Sequence, residues 1–216
     1  MTTNKNPGIY VHIPFCVRKC NYCAFLSGAS DEALRERYVK ALCEEIRIRA
    51  RLITDRVYGV FDTIFFGGGT PSLLRSEQIA RMIGELKANF NIDSEAEITL
   101  ESNPATLSME SLRGYRQSGV NRLSMGVQSM NDEILKRLGR IHTAHDVIRD
   151  VQNAREAGFD NINLDLMFAV PGSSLETTLI DIEAVTSLEP EHISFYSLQL
   201  EEGTAFFKDF EMGKLT

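Results

Sequence analysis

Three of the four cysteines in this chain, Cys16, Cys20 and Cys23, lie within eight residues of one another. Such clustering indicates metal or redox chemistry rather than a disulfide framework. A structural zinc site normally takes four ligands from two separated pairs, and no second pair follows here. Three thiolates would instead leave one iron of a [4Fe–4S] cluster open to chelation by a small molecule. Spacing alone favours the cluster over its two alternatives, zinc and no metal. Cys43 lies on a predicted helix and is interpreted as a small buried hydrophobe.

The elements that must position these thiols alternate regularly along the 216 residues. Short apolar runs predict buried parallel strands, at about 9–15, 61–66, 97–101, 122–127, 161–168 and 192–200. Amphipathic stretches predict helices between them, at about 31–53, 76–90, 108–118, 131–157 (with a break near Gly139) and 175–187. Strand–helix repetition indicates an α/β fold with a parallel sheet. An eight-stranded barrel typically needs about 250 residues, so we expect a partial barrel of six βα units.

Polar or glycine-rich residues recur where the predicted strands end. They are Cys16, Gly67–Thr70, Glu101–Pro104, Gly126–Ser129, Asp165 and Gln199–Glu201. Parallel α/β barrels build their active sites from loops at the carboxyl ends of the strands. The sequence therefore predicts one site at this edge of the sheet.

The segment from Tyr10 to Cys23, YVHIPFCVRKCNYC, resembles the signature of the radical S-adenosylmethionine (SAM) superfamily. More narrowly, it looks like the branch of oxygen-independent coproporphyrinogen III oxidase and the radical SAM heme chaperones. The same branch is matched in order by FGGGTPS, ESNP, NRLSMGVQS, RLGRIH, NLDLM and PG. The resemblance covers essentially the whole chain. It implies a [4Fe–4S] cluster on Cys16, Cys20 and Cys23 within a partial (β/α)6 radical SAM barrel, open on one side.

The resemblance also implies which residues bind SAM, whose amino and carboxylate groups chelate the open iron. Gly68, Gly69 and Thr70 match the segment at the methionine amino group, and a glycine backbone can approach a ligand closely. A plain strand-to-helix turn is the alternative. Arg140 can pair with the methionine carboxylate by charge-assisted hydrogen bonds, or it is a solvated helix charge.

The remaining expected contacts surround the ribose, the adenine and the cluster. Glu101 matches a SAM contact, and an unpaired carboxylate at the end of an apolar strand would be costly to bury. Gln128 suits the ribose hydroxyls or the methionine end, and Asp165 suits a pair of ribose hydroxyls. Tyr10 and Tyr22 match aromatic positions around the cofactors, with core packing as the alternative. The weakest expectation is an adenine-side contact by Gln199.

The order of residues after the third cysteine bears on the subgroup. Oxidases of this branch carry a further cysteine there, whereas this chain reads Cys23-Ala24-Phe25, and only nine residues precede Tyr10. Both departures favour a heme chaperone, which binds heme and passes it to an acceptor protein. The alternative is a radical SAM enzyme, the oxidase or a related tetrapyrrole-modifying enzyme, acting through a 5′-deoxyadenosyl radical. The heme motif of the subgroup lies in a C-terminal domain, so we expect residues 1–216 to be the core domain alone.

Composition restricts the partners and the location. A formal net charge of −7 disfavours nucleic acid, because phosphate binding needs a basic surface. The polar start and the absence of a long apolar run predict a cytoplasmic chain without a membrane span. The resemblance implies SAM, heme or another tetrapyrrole, and a reductant protein such as flavodoxin or ferredoxin as partners.

Overall fold

The computed structural model describes residues 6–53 and 59–215. The six strands are β1 Gly8–Ile13, β2 Phe61–Gly68, β3 Ile92–Ser102, β4 Arg122–Gln128, β5 Ile162–Phe168 and β6 His192–Ser197. The helices are α1 Glu32–Ile53, α2 Ser76–Asn89, α3 Met109–Gln117, α4 Asp132–Leu138, α5 Ala144–Glu156, α6 Leu175–Thr186 and α7 Ala205–Glu211, with a short 3-10 turn at Pro71–Leu73. Residues 1–5, part of the polar start that argues against a secretory signal, lie outside the described residues.

The strands form one sheet in the order in which they occur along the chain, from β1 to β6. All five pairings are parallel. Within the described residues β1 pairs only with β2, and β6 only with β5, so the sheet is open. This arrangement confirms the predicted α/β fold of six parallel strands.

The core lies between the sheet and its helices. On α2 the buried residues Ile79, Met82, Ile83 and Leu86 follow the i, i+3, i+4, i+7 spacing of an amphipathic helix. The strands contribute side chains that are fully excluded from solvent, such as Ile64, Phe66, Leu100, Leu123 and Leu164. Cys43 is buried in the same cluster, which confirms its interpretation as a core residue.

Side chains cap three helices at the residues where the sequence predicts that these helices begin. Asp31 Oδ1 accepts the Leu34 N–H at 2.7 Å, while Ser108 and Asn131 cap α3 and α4. Such caps satisfy the N–H groups that the first helical turn leaves unpaired. The backbones of Gly119 and Gly158 have positive φ values, as expected for residues that end helices.

The predicted break near Gly139 is confirmed, because Gly139 ends α4 in the left-handed conformation with φ 78° and Thr143 caps α5. Other bounds differ from the sequence prediction: β3 begins at Ile92 and not near 97, and β6 ends at Ser197 and not near 200. Strand β1 stops at Ile13, since Pro14 has no N–H to continue the ladder. Helix α7 was not predicted, because its seven residues are too few to show a period.

Among the described residues, no helix combines the length and the apolar character that crossing a membrane requires.

Candidate functional site

A cavity of about 630 Å³ opens at the carboxyl ends of the strands. Its size falls within the range of small-molecule sites, about 300–1,000 Å³. The structure brings most of the sequence-predicted residues to its wall: Cys16, Tyr22, Cys20, Cys23, Gly68, Gly69, Glu101, Gln128, Arg140, Asp165 and Gln199. The wall thus joins residues from the cysteine loop and from the ends of five strands.

The cysteine loop between β1 and α1 is tied down at two places. At its base, Cys16 N–H donates to the Gly28 carbonyl at 2.9 Å, and Gly28 N–H donates to the Pro14 carbonyl at 3.0 Å. Near its middle, Asn21 donates to the end of α4, from its amide group to Arg137 O at 2.8 Å and from its N–H to Leu138 O at 3.0 Å. These bonds hold the loop against the strand ends without a disulfide.

Two of the three sulfurs accept hydrogen bonds from neighbouring side chains. Thr70 Oγ1 donates to Cys16 Sγ at 3.6 Å, and Arg140 Nη1 donates to Cys20 Sγ at 3.5 Å. Burial raises the pKa of the Cys23 thiol, partly offset by a hydrogen bond from the backbone at Phe25. Cys16 and Cys20 thus each have a donor aimed at the sulfur, which is the atom that a cysteine offers to a metal.

The donor set fits an iron–sulfur cluster. All three cysteines are free and half-buried, and their side chains line the cavity. In the described part of the chain, no three His, Cys, Asp or Glu side chains surround a position for a single metal ion. A [4Fe–4S] cluster is a larger body in which each cysteine binds a different iron. Thiolate ligands with hydrogen-bond donors behind them are what such a group requires.

The glycine-rich segment after β2 packs against the base of the cysteine loop. Gly69 N–H donates to Ile13 O at 2.8 Å and Thr70 N–H to Phe15 O at 2.7 Å. A Cβ on Gly69 would lie 2.6 Å from the Phe15 carbonyl oxygen, so this position requires glycine. This close approach is to the protein's own backbone and not to a ligand, so it agrees with the plain-turn alternative as well as with the ligand-binding interpretation.

Thr70 differs from its predicted place. It is buried behind Cys16 and does not line the cavity, because its backbone pairs with Phe15 and its hydroxyl faces the sulfur. Gly68 and Gly69 do reach the cavity, but their N–H groups are bonded to Glu101 and Ile13. The other polar groups of this backbone are the two carbonyl oxygens. A carbonyl oxygen can accept a hydrogen bond from an amino group.

Two half-buried carboxyl groups, Glu101 and Asp165, line the cavity. Burial raises the pKa of Glu101, and the nearby Asp165 raises it further, against a 3.0 Å hydrogen bond from Gly68 N–H. Burial likewise raises the pKa of Asp165, opposed by donors that include the Asn163 amide at 2.7 Å. Burial thus disfavours the ionised forms of both acids. A cationic ligand in the cavity would favour those ionised forms, because opposite charges attract.

Gln128 and Arg140 are held by neighbouring groups. Gln128 has a left-handed backbone, φ 70°, and its Oε1 accepts the Tyr196 hydroxyl at 2.8 Å. Arg140 donates from Nη2 to Gly126 O at 2.6 Å and to Asn103 Oδ1. With the bond to Cys20, three of its five N–H groups are used, and it is not the solvated charge of the alternative interpretation.

The two predicted tyrosines, Tyr22 and Tyr10, lie in different surroundings. Tyr22 lines the cavity, and burial raises its pKa far above the usual range. Tyr10 does not line the cavity: it is 58% exposed, its hydroxyl bonds to His12 Nδ1 at 3.2 Å, and its ring stacks on Phe65. Alternation along β1 buries Val11 and Ile13 on the opposite face. Tyr10 instead shares a face with Glu101, because a Cβ on Gly67 would lie 2.9 Å from the Tyr10 ring and 3.0 Å from Glu101 Oε2. It therefore lies beside the cavity at an exposed position and is not a core residue.

Two wall residues were not singled out from the sequence. Asn103 lies between Thr70 and Arg140, and its place in the Glu-Ser-Asn-Pro motif was the available signal. Tyr196 orients Gln128 from β6, but a tyrosine in an apolar strand carries no sequence signal that distinguishes it from a packing residue.

The chain is similar to curated heme chaperones and to a solved oxidase. Heme chaperone HemW of Haemophilus influenzae is 41% identical over 200 residues, which are 92% of this chain and 52% of that protein. HemW of Bacillus subtilis is 39% identical over 207 residues, 95% of this chain and 54% of that protein. This chain thus spans about half the length of the curated relatives it matches.

The structure of coproporphyrinogen III oxidase (HemN) from Escherichia coli, described as a radical SAM enzyme, matches with a TM-score of 0.83. Its sequence is 30% identical, and the match covers 97% of this chain and 47% of that chain. The six parallel strands and their helices thus match the partial barrel of the HemN structure. The radical SAM superfamily pattern matches residues 10–184. This chain belongs to the radical SAM superfamily.

Proposed function

We propose that this chain binds a [4Fe–4S] cluster on Cys16, Cys20 and Cys23 and holds SAM in the cavity beside it. The observation that carries the proposal is a three-thiol loop that opens onto a cavity lined by two half-buried carboxyl groups. Both cofactors are features of the superfamily to which the chain belongs. When bound and reduced, the cluster would supply an electron for the reductive cleavage of SAM.

The chain's own residues then have separable tasks around SAM. Gly68 and Gly69 present carbonyl oxygens to the amino group, while Arg140 has N–H groups left for the carboxylate. Glu101 and Asp165 offer carboxylates to the sulfonium charge and the ribose hydroxyls. Gln128, fixed by Tyr196, adds an amide at the same wall. The hydrophobic and backbone groups between them exclude water.

Within the superfamily, we propose a role in heme binding and in its transfer to an acceptor protein, in the cytoplasm. Two observations support this subgroup. The curated relatives at about 40% identity are named heme chaperones, and Ala24 and Phe25 follow Cys23 where the oxidases carry a further cysteine. We also propose a reductant protein such as flavodoxin or ferredoxin as a partner of this chain.

A second candidate function is tetrapyrrole oxidation or modification by a radical SAM enzyme. It is favoured by the structural match to HemN. The two functions differ in stoichiometry, because a chaperone binds heme once per chain, whereas an enzyme turns over its substrate and releases 5′-deoxyadenosine.

Anaerobic reconstitution with iron and sulfide tests the cluster. We expect about four irons per chain, a brown chromophore, and a change in its EPR spectrum when SAM is added. Cys20→Ser should abolish the chromophore, whereas the matched variant Cys43→Ser, in the core, should keep it. One zinc per chain, or loss of colour in both variants, would contradict the assignment.

Heme titration of the reconstituted protein then separates the two functions. The chaperone predicts saturable heme binding and no conversion of coproporphyrinogen under reducing, anaerobic conditions. Protoporphyrinogen formation with release of 5′-deoxyadenosine would favour the enzyme instead.

A further inference from the structure

Asn103 connects two of the candidate cluster ligands through hydrogen bonds on both sides of its amide. On one side, Asn103 Nδ2 donates to Thr70 Oγ1 at 2.8 Å, and Thr70 Oγ1 donates to Cys16 Sγ at 3.6 Å. On the other side, Arg140 donates from Nη2 to Asn103 Oδ1 and from Nη1 to Cys20 Sγ at 3.5 Å. A continuous chain of four hydrogen bonds thus runs from Cys16 to Cys20.

The direction of this chain follows from the chemistry of its members. Arginine has no acceptor, so the amide oxygen of Asn103 faces Arg140 and the amide nitrogen faces Thr70. Because the Thr70 oxygen accepts from that nitrogen, its own proton is available to Cys16. An aspartate at position 103 can accept from Arg140 but cannot donate to Thr70. Only an amide serves both sides.

The backbone that carries Asn103 is fixed independently of these bonds. Ala105, two residues on, has a left-handed backbone with φ 65°, and its N–H donates to Asp150 Oδ2 at 2.7 Å. Thr106 Oγ1 donates to the Asn103 carbonyl at 2.6 Å. Asp150 is itself fully buried on α5. The amide of Asn103 therefore projects from a turn that is held in place before any cofactor binds, as precise sites require.

We propose that Asn103 is a positioning residue that aims hydrogen-bond donors at Cys16 and Cys20 and thereby stabilises the reduced cluster. The inference rests on the proposed function, because it needs the cluster. Reduction adds negative charge, so donors to the ligand sulfurs stabilise the reduced form more than the oxidised form and raise the reduction potential. Cys23 receives no side-chain donor from this chain of bonds, so the effect is confined to two ligands.

The test compares four variants with the wild-type chain after anaerobic reconstitution. Asn103→Ala removes both sides of the bridge, Asn103→Asp removes the donor to Thr70, and Thr70→Val removes only the hydroxyl on Cys16. Asn153→Asp, on α5 and outside the cavity wall, is the control for the amide-to-acid change. The readouts are the cluster's reduction potential, from an EPR-monitored titration, and its half-life against an iron chelator.

We expect a more negative potential in Thr70→Val than in the wild type, a larger shift in both Asn103 variants, and no change in Asn153→Asp. The half-life of the cluster against the chelator should fall about tenfold in Asn103→Ala, the lower end of the losses seen when supporting residues of metal sites are removed.

The outcomes distinguish the two proposals. A wild-type chain that takes up no iron would refute the proposed function. A wild-type chain that loads normally, with Thr70→Val and Asn103→Asp unchanged in potential and half-life, would refute the positioning role alone. Thr70→Val decides the matter if the apo form of Asn103→Ala unfolds at a lower temperature, because valine keeps the shape of the threonine.

Discussion

The wall of the cavity differs between its two sides. On the cluster side, β2, β3 and β4 end in segments held by backbone contacts, such as Gly69 against Phe15, and β4 is buried almost throughout. On the other side, β6 pairs only with β5 among the described strands, and its Phe195, which does not line the cavity, is 46% accessible. The site is therefore rigidly supported where the sulfurs lie and more loosely supported where β6 meets it.

This difference indicates how substitutions should act. A change at Gly69, on the cluster side, has to displace backbone, because its neighbouring atoms are main-chain groups of Phe15 and Ile13 that cannot rotate away. A change at β6 meets side chains or solvent, which adjust at little cost. We therefore expect effects on stability and on cluster binding to decrease from the cysteine loop toward β6.

Gly69→Ala should have the largest effect. Its Cβ would lie 2.6 Å from Phe15 O and 2.8 Å from Phe15 N, so the base of the cysteine loop must shift. Overpacking of this kind typically costs about 1–3 kcal/mol, and we expect the upper end together with loss of iron binding. Chemical denaturation of the apo form and iron analysis measure the two effects.

The matched control is Gly84→Ala on α2, where an added Cβ meets nothing within 4 Å. In a helix this exchange should stabilise the chain by about 0.5–1 kcal/mol and leave iron binding unchanged. If Gly69→Ala retained wild-type iron content and stability, the rigid support inferred for the cluster side would be wrong.

Glu101→Gln and Asp165→Asn should each stabilise the apo chain near neutral pH while weakening SAM binding. Burial raises the pKa of both carboxyl groups, so the folded chain holds each proton more tightly than the unfolded chain does. The stability that protonation contributes is present below the unfolded pKa, about 4, and is lost as the pH rises through the folded pKa. We expect a gain of about 1 kcal/mol for the amides at neutral pH, a common size for removing a strained functional group.

Unfolding midpoints measured between pH 4 and pH 8 check this expectation, because the advantage of the amide variants should grow as the pH rises. Glu36→Gln provides a control of opposite sign. A hydrogen bond from Arg81, and a second from Gln78, lower the pKa of Glu36 to about 2, so its amide variant should be less stable than the wild type at neutral pH. Glu101→Gln and Glu36→Gln changing stability in the same direction would contradict the assigned environments.

Much of this arrangement could be predicted from the sequence, because it depends on local patterns. Apolar runs and amphipathic stretches predicted the six strands and most of the helices, for example α3, which was expected at about 108–118 and begins at Met109. The parallel order then brought Cys16, Glu101 and Asp165 to one edge of the sheet. Motif resemblance supplied residues such as Arg140 that composition alone does not distinguish.

Contacts between distant residues could not be predicted. Thr70 follows the glycines in the motif, but only the pairing of its backbone with Phe15 shows that it faces Cys16 and not the cavity. The pleat of β1 places Tyr10 beside Glu101 but leaves it 58% exposed, and a motif does not report that exposure. The link from Asn103 to both cysteines joins four chain segments, so no local pattern contains it.

Tyr196→Phe should have the smallest effect, because it removes a single hydroxyl on the β6 side. The bond from Tyr196 to Gln128 Oε1 is 2.8 Å long, and water from the cavity can replace the lost donor. We expect a loss of about 0.5 kcal/mol of unfolding free energy, the lower end for one hydrogen bond, with unchanged iron content. SAM affinity should fall severalfold, since Gln128 is then no longer held in one orientation. Calorimetric titration of SAM into the reconstituted chain measures that change. A loss of iron as large as that of Gly69→Ala would mean that β6 supports the cluster as directly as the cysteine loop does, and the contrast between the two sides would fail.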